Sequence, residues 1–324
     1  MIRITEPPDS LTLVVVISAF LLAGCPSASL SRAEPAFPVK PELFLDVFRA
    51  SEGLTFNGEG KLFIGANTEI WIVEKDGSHR QIADVDTHLG QAGIGERDIL
   101  AADFGPTNMF RDGPNDDGII WRISPEGVKT VVARGIADPN FILVLEDGTF
   151  LVSDDGTDKI YLVDHEGNVS IWSDAIDYPN GLALSPDGST LYVAQIFTRL
   201  QPEIGFSDYL WALPVKDGRP AGEPKLVART GFGGVDGLAM DILGRVYIAD
   251  NGGGKIFRYD PKIDELILIA DGMPAIASLV FGEGDFDHES LYGTSTFRGG
   301  GKIWKVKVGT RGIPQYRGEA KREK

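Results

Sequence analysis

Four polar residues occupy the same position in four segments of similar sequence. Each lies four residues before an apolar residue, and a turn glycine follows that apolar residue after four more. The four are Glu52, Asn140, Asn180 and Asp236. If the segments are equivalent strands of a repeat fold, the two carboxylates and two amides meet. Paired carboxylates repel unless a cation or proton intervenes, and a set of oxygen donors favours Ca²⁺ or Mg²⁺ over Zn²⁺.

Each of these residues also has a simpler interpretation. Asn180 precedes Gly181 and Asp236 precedes Gly237, and such pairs are common in turns because Asn and Asp tolerate left-handed backbone. One such residue alone would be interpreted as a turn, whereas four donors in one register favour a metal site. The last segment has Ala277 at this position, and the second segment is too irregular to align.

The elements that carry these residues belong to a repeat. Six strand-like segments contain an aromatic or apolar pair at intervals of 40 to 50 residues. The pairs are Ile70-Trp71, Ile120-Trp121, Ile160-Tyr161, Leu210-Trp211, Ile256-Phe257 and Ile303-Trp304. Turns rich in Asp and Gly separate further short strands around each pair. Four short strands per unit are typical of a propeller blade, so the sequence predicts an all-β, six-bladed β-propeller.

The two ends of the repeat region predict how the ring closes. The last unit lacks an outer strand, and residues 42–47 resemble one that precedes the first unit. We therefore expect this N-terminal strand to complete blade six, which removes exposed sheet edges. The propeller should span residues 41–313, followed by a polar tail over 314–324. Inner strands line the central channel, so the four polar residues should converge at one mouth.

The N-terminal residues predict an export signal. The run Leu11–Ala23 is apolar but shorter than the roughly 20 residues of a membrane-spanning helix. It ends in Leu22-Ala23-Gly24-Cys25, which resembles a bacterial lipobox, where the cysteine carries lipid. We expect a signal peptide over 1–24, a tether over 25–40 and a lipid-anchored place in the bacterial cell envelope. An ordinary cleaved signal, giving a periplasmic or secreted protein, is the alternative.

Composition and missing motifs exclude several classes of function. The 324 residues carry a net charge of −16, which repels phosphate backbones and argues against nucleic-acid binding. The single cysteine rules out an intramolecular disulfide and a cysteine-based zinc site. No Gly-x-Ser-x-Gly, His-Glu-x-x-His, P-loop or Rossmann pattern is present.

Further polar residues are expected at the same mouth. They are Asn67, Asp154, Asp250 and His88. The carboxylates could hydrogen-bond around the ligands or simply be solvated turn residues. His88 could move protons or be an ordinary surface histidine. The insertion Thr198–Ser207 could roof the pocket, with Leu200 and Phe206 against an apolar substrate.

Several of these segments together resemble the SMP-30/gluconolactonase family over about residues 42–308. They are Ser51–Leu54, Pro139-Asn140, Tyr178–Ala183 and Val235–Asp241. The resemblance, which extends to paraoxonase and diisopropylfluorophosphatase propellers, implies a six-bladed propeller with a divalent metal in its channel. It matches Glu52, Asn180 and Asp236 to the usual ligands. It matches Asn140 to a residue that binds metal in some relatives and substrate in others.

One departure from the family bears on the substrate. Sugar lactonases of the family tend to carry arginine two residues before that asparagine, and this chain has Asp138 there. This difference disfavours an aldonolactone and leaves the metal ligands unaffected.

These observations predict a metal-dependent hydrolase of a lactone or related ester, acting as a monomer on a small molecule. The cation is expected to be Ca²⁺, with Mg²⁺, Mn²⁺ and Zn²⁺ as alternatives. Asp236 would be a ligand and also the general base or nucleophile. A non-enzymatic ligand- or protein-binding propeller with a structural cation is the second hypothesis. A metal-free propeller resembling strictosidine synthase is the third, which the four-donor register disfavours.

Overall fold

The computed structural model describes residues 34–107 and 115–318, and they form six antiparallel sheets arranged as blades in a ring. Blade one contains β2 (Ser51–Phe56), β3 (Leu62–Ala66), β4 (Glu69–Val73) and β5 (His79–Asp84), preceded in the chain by β1 (Glu42–Leu45). Blade two contains β6 (Gln91–Ile94), β7 (Asp98–Asp103), β8 (Gly118–Ile123) and β9 (Lys129–Ile136). Blade three contains β10 (Pro139–Val144), β11 (Phe150–Asp154), β12 (Ile160–Val163) and β13 (Val169–Ser173).

The second half of the ring repeats this order. Blade four contains β14 (Pro179–Leu184), β15 (Thr190–Arg199), β16 (Gly205–Lys216), β17 (Arg219–Pro220) and β18 (Lys225–Arg229). Blade five contains β19 (Val235–Met240), β20 (Val246–Asp250), β21 (Lys255–Asp260) and β22 (Glu265–Asp271). Blade six contains β23 (Ile276–Phe281), β24 (Ser290–Ser295) and β25 (Ile303–Lys307). The only helix among the described residues is the 3₁₀ turn Phe297–Gly299, so the predicted six-bladed propeller is confirmed.

Strand composition follows position in the blade. The inner strands β19 and β23 and the second strands β3, β11 and β20 are buried along their whole length. Outer strands such as β5 are mostly exposed and polar. Each aromatic or apolar pair found in the sequence lies in the third strand of its blade. Apolar side chains from neighbouring blades interdigitate, as where Tyr247 of blade five meets Phe281 of blade six edge to face at 5.3 Å.

The N-terminal strand closes the ring as predicted. Strand β1 pairs antiparallel with β25, with Glu42 opposite Lys305 and Leu45 opposite Ile303. The last blade therefore gains its outer strand from the beginning of the propeller. This arrangement pairs the edge of β25 and joins the first blade to the last.

Two terminal segments dock onto the propeller. Glu34 lies in the segment predicted to be a tether, and it forms ion pairs with Arg245 at 2.6 Å and Arg258 at 3.1 Å. At the other end, Ile313 donates its backbone N–H to Met240, and Arg317 pairs with Glu283 at 2.5 Å. Residues 313–316 line the end of the channel opposite the first residues of the inner strands, and the channel encloses about 80 Å³.

The predicted signal peptide and Cys25 lie outside the described residues. The described residues contain no helix with the length and apolar character needed to cross a membrane.

Candidate active site at the channel mouth

Close backbone packing brings the first residues of the inner strands together. A Cβ atom at Gly181 would lie 2.3 Å from the carbonyl oxygen of Asp236, and one at Gly237 would lie 2.7 Å from that of Ala277. Both glycines lie within strands β14 and β19. Glycine follows the polar residue here because the neighbouring strand leaves no room for a side chain. The alternative interpretation of these pairs as turns is therefore wrong.

The same contacts identify the equivalent position in the irregular second blade. Gly53 packs against the carbonyl of Leu89, and Gly90 donates its N–H to the carbonyl of Asn140 at 2.9 Å. Leu89 thus occupies in blade two the place of the polar residues elsewhere. In ring order the six positions are Glu52, Leu89, Asn140, Asn180, Asp236 and Ala277. Apolar residues flank Glu52, and three polar residues follow one another on the far side.

Side chains from blades one, three and five interact across the mouth. Asn140 donates from Nδ2 to Oδ2 of Asp155 at 2.9 Å, and it also hydrogen-bonds the carboxyl group of Glu52. The carboxyl of Asp236 is influenced electrostatically by Glu52 and Asp155. Blades two, four and six separate these residues around the ring, so their interaction requires convergence near the axis.

Burial and neighbouring charges raise the pKa values of the acidic side chains at the mouth. Burial raises the pKa of Glu52 to about 7, although part of this residue remains exposed, and the hydrogen bond from Asn140 opposes the rise. Burial, followed by the charges of Glu52 and Asp155, raises the pKa of Asp236 well above its ordinary value. Burial, followed by the charges of Asp154, Glu52 and Asp138, does the same to the pKa of Asp155. The carboxyl groups destabilise one another's charged forms.

Residues directly after the second strands orient two of the predicted ligands. Asp155 follows β11 and holds Asn140, while Asn251 follows β20 and donates to Oδ2 of Asp236 at 3.3 Å. The equivalent residue of blade four is Ile196, which has no polar side chain. Asn180 is 1% exposed, and neither its Oδ1 nor its Nδ2 finds a hydrogen-bond partner among the described residues.

Asp154 and Asp250, which the sequence placed around the ligands, hydrogen-bond the backbone of the loops that follow β11 and β20. Asp154 accepts from the backbone N–H of Gly156 at 3.1 Å, and Asp250 accepts from that of Gly253 at 2.7 Å. Burial raises the pKa of both. They sit one residue before Asp155 and Asn251, the residues that contact the site. The alternation of side-chain direction along a strand is the sequence signal that distinguishes Asp155 and Asn251 from Asp154 and Asp250.

Asn67 and His88 support the backbone near Glu52. Asn67 accepts at Oδ1 from the backbone N–H of Arg49 at 2.9 Å and of Ala50 at 3.3 Å, just before β2. His88 accepts at Nδ1 from the backbone N–H of Thr68 at 3.2 Å. Burial lowers the pKa of His88 to about 4, so the ring is neutral and only Nε2 remains for proton exchange.

The residues present at the mouth fit a divalent cation. Within the described residues no three His, Cys, Asp or Glu side chains form a metal-binding group, so a cation here needs the amide oxygens. Asn180 supplies an oxygen that is buried and unpartnered, and such a group costs about 1–3 kcal/mol unless something binds it. Glu52 and Asp236 supply two carboxylates that repel each other.

Comparison with known proteins matches part of the propeller to a family model. Residues 151–297 match the model of the SMP-30/gluconolactonase/LRE-like region. The resemblance drawn from the sequence is confirmed over this stretch, which contains Asn180 and Asp236. Glu52 and Asn140 lie outside it, and the ring geometry connects them to this SMP-30/gluconolactonase-like region.

The relatives found share the fold at low sequence identity. Pentonolactonase XacC of Haloferax volcanii is 23% identical over 185 residues, which is 52% of this chain and 60% of that protein. A gluconolactonase from Xanthomonas campestris superposes with a TM-score of 0.67 at 19% identity, covering 82% of this chain and 88% of its own. The calcium-binding protein regucalcin from Agrobacterium tumefaciens superposes with a TM-score of 0.66 at 20% identity, covering 86% and 97%.

Proposed function

We propose that this protein is a divalent-cation-dependent hydrolase of a lactone or related carboxylic ester. The observation that carries the proposal is the convergence of Glu52, Asn140 and Asp236 across the channel mouth, beside the unpartnered amide of Asn180. The likeness to pentonolactonase and gluconolactonase proteins supports the reaction class. The likeness to a calcium-binding regucalcin supports Ca²⁺ as the cation.

The chain's own residues have distinct roles in this proposal. Glu52, Asn140, Asn180 and Asp236 hold the cation, which when bound would polarise the substrate carbonyl and stabilise the developing oxyanion. Asn251 holds Oδ2 of Asp236, which orients the carboxyl group to accept a proton from water or to attack the carbonyl. Asp155 holds the amide nitrogen of Asn140 and thereby fixes the direction of its oxygen.

Hydrolysis assays test the proposal directly. Lactones and aryl esters should be hydrolysed in the presence of Ca²⁺, Mg²⁺, Mn²⁺ or Zn²⁺, and a chelator should abolish the activity. Restoring the metal should restore the rate. A protein that binds a cation but hydrolyses none of these compounds under any of these conditions would replace this proposal with the binding-propeller hypothesis.

The pH dependence of stability should depend on the cation. The pKa of Glu52 is raised to about 7, so between its ordinary pKa and about 7 the folded protein binds more protons than the unfolded chain. Stability in chelator should therefore fall as pH rises through this window. Excess Ca²⁺ should remove most of the fall, because the cation takes the place of the proton.

Thermal unfolding followed by fluorescence across this pH window, with chelator or with Ca²⁺, measures the effect. Glu52→Gln is the matched control, because its amide cannot titrate and the fall should shrink in chelator. An unfolding midpoint that rises with pH through the same window in chelator would contradict the expectation.

A further inference from the structure

An aromatic series runs along the rim between two of the proposed ligands. We call Tyr178, Phe197 and Phe206 the aromatic rim. Tyr178 stands two residues before Asn180, and its ring lies 6.2 Å from that of Phe197, which lies 5.6 Å from that of Phe206.

The far end of the rim leads back to Asp236. A Cβ atom at Gly234 would lie 3.5 Å from Cδ1 of Phe206, and Gly234 accepts from the backbone N–H of Asn251 at 2.9 Å. Asn251 in turn contacts the carboxyl of Asp236. The rim therefore begins beside one ligand and ends beside another, on the same mouth of the channel.

The fold holds this rim in place by specific contacts. Strands β15 and β16 extend beyond their blade as a hairpin in which Phe197 pairs with Phe206. Gln195 braces the hairpin where it leaves the blade, because its Nε2 donates to the carbonyl of Phe197 and its Oε1 accepts from Trp211, both at 2.8 Å.

Tyr178 adopts a backbone conformation that favours glycine. Its φ is +47°, and at the equivalent position before β19 the chain has Gly234 with φ of +77°. A non-glycine residue in this region of backbone conformation is strained. Glycine occupies the equivalent turn position in blade five, so the turn does not need a side chain here. Tyr178 adds a ring to the rim and destabilises its own turn.

The rim leaves apolar surface uncovered next to a polar site. Phe206 is 50% exposed and the neighbouring Ile204 is 47% exposed, whereas Phe197 beneath them is buried. Small-molecule sites typically combine such an apolar surface with a few convergent polar groups. The exposed Phe232 nearby differs, because its ring stacks on that of Phe257 and lies against Lys255, both on the third strand of blade five.

We infer that the aromatic rim selects lactones or esters that carry an alkyl or aryl substituent. The inference rests on the proposed hydrolase function and specifies its substrate class. It separates this chain from its relatives, which are named for pentonolactone and gluconolactone. The reacting carbonyl sits at the ligands, and the substituent packs against the exposed ring of Phe206.

A series of γ-lactones with alkyl chains of increasing length tests the inference. For the Ca²⁺-loaded protein, kcat/KM should rise by about fourfold per methylene over the first few carbons. D-Glucono-δ-lactone should be a poorer substrate than the alkyl lactones. Phe206→Ser should flatten the series, Phe206→Leu should keep most of it, and the equally exposed Phe232→Ser should leave it unchanged.

The outcomes separate this inference from the proposed function. Efficient hydrolysis of gluconolactone with a flat alkyl series would overturn the rim's role and leave the hydrolase proposal standing. Equal effects of Phe206→Ser and Phe232→Ser on the series would also overturn it. If the metal-loaded protein hydrolyses none of these compounds, the proposed function fails and the rim inference fails with it.

Discussion

Replacing Asp236 with asparagine should lower the maximal rate of hydrolysis by about 10²–10⁴-fold even when the metal is saturating. The substitution keeps the shape and one oxygen ligand, but it removes a negative charge and the proton acceptor. Metal affinity should also fall, since only one carboxylate of the proposed ligand set would remain. Steady-state rates measured against metal concentration separate the loss of affinity from the loss of rate.

Stability should change in the opposite direction. Asp236 is buried beside Glu52 and Asp155, whose charges disfavour its ionised form. Asp236→Asn should therefore unfold at a higher temperature than the wild type when both are in chelator. Asp250→Asn is the matched control, because it neutralises a buried carboxylate of the same blade that serves the turn at Gly253. It should keep most of the activity.

Near wild-type turnover of metal-saturated Asp236→Asn would contradict the expected loss of rate. Asp236 would then be a metal ligand only.

Replacing Asn180 with leucine should separate metal binding from folding. The side chain has a similar size, and the lost amide has no partner among the described residues. In chelator the variant should be as stable as the wild type, or more stable by about 1–3 kcal/mol, because a buried unsatisfied amide is removed. Metal affinity should fall by at least about 100-fold, or roughly 2.7 kcal/mol, because an oxygen ligand is lost. Isothermal titration with Ca²⁺ and denaturant unfolding measure the two effects.

Asn140→Leu provides the contrast within the same ring. Asn140 hydrogen-bonds Asp155 and Glu52, so its removal leaves the buried carboxyl group of Asp155 without this donor. That variant should lose stability by about 1–3 kcal/mol in chelator, in addition to losing metal affinity. The distinction between the two asparagines would collapse if Asn180→Leu destabilised the protein as much as Asn140→Leu and left Ca²⁺ affinity unchanged.

The sequence by itself determined the fold and indicated the residues of the candidate site. Pairs such as Ile160-Tyr161 recur because every blade needs an apolar third strand, so the period reveals six blades. Closure by residues 42–47 followed from counting strands. The register of Glu52, Asn140, Asn180 and Asp236 could be read because equivalent strands start at the same height in the ring. The repeat is irregular in blade two, so the sequence pattern alone does not show that Leu89 occupies the position of the polar residues in the other blades.

The tertiary structure decided how those residues are used. Only backbone packing distinguishes a glycine needed for close approach, such as Gly181, from a turn glycine with the same neighbours in sequence. Asp155 and Asn251 orient the proposed ligands from adjacent strands, and no local pattern reports a hydrogen bond between residues 15 apart. The aromatic rim joins Tyr178 to Phe206 through a hairpin that leaves its blade. Contacts of this kind depend on side-chain direction and on the meeting of distant segments, which periodicity does not encode.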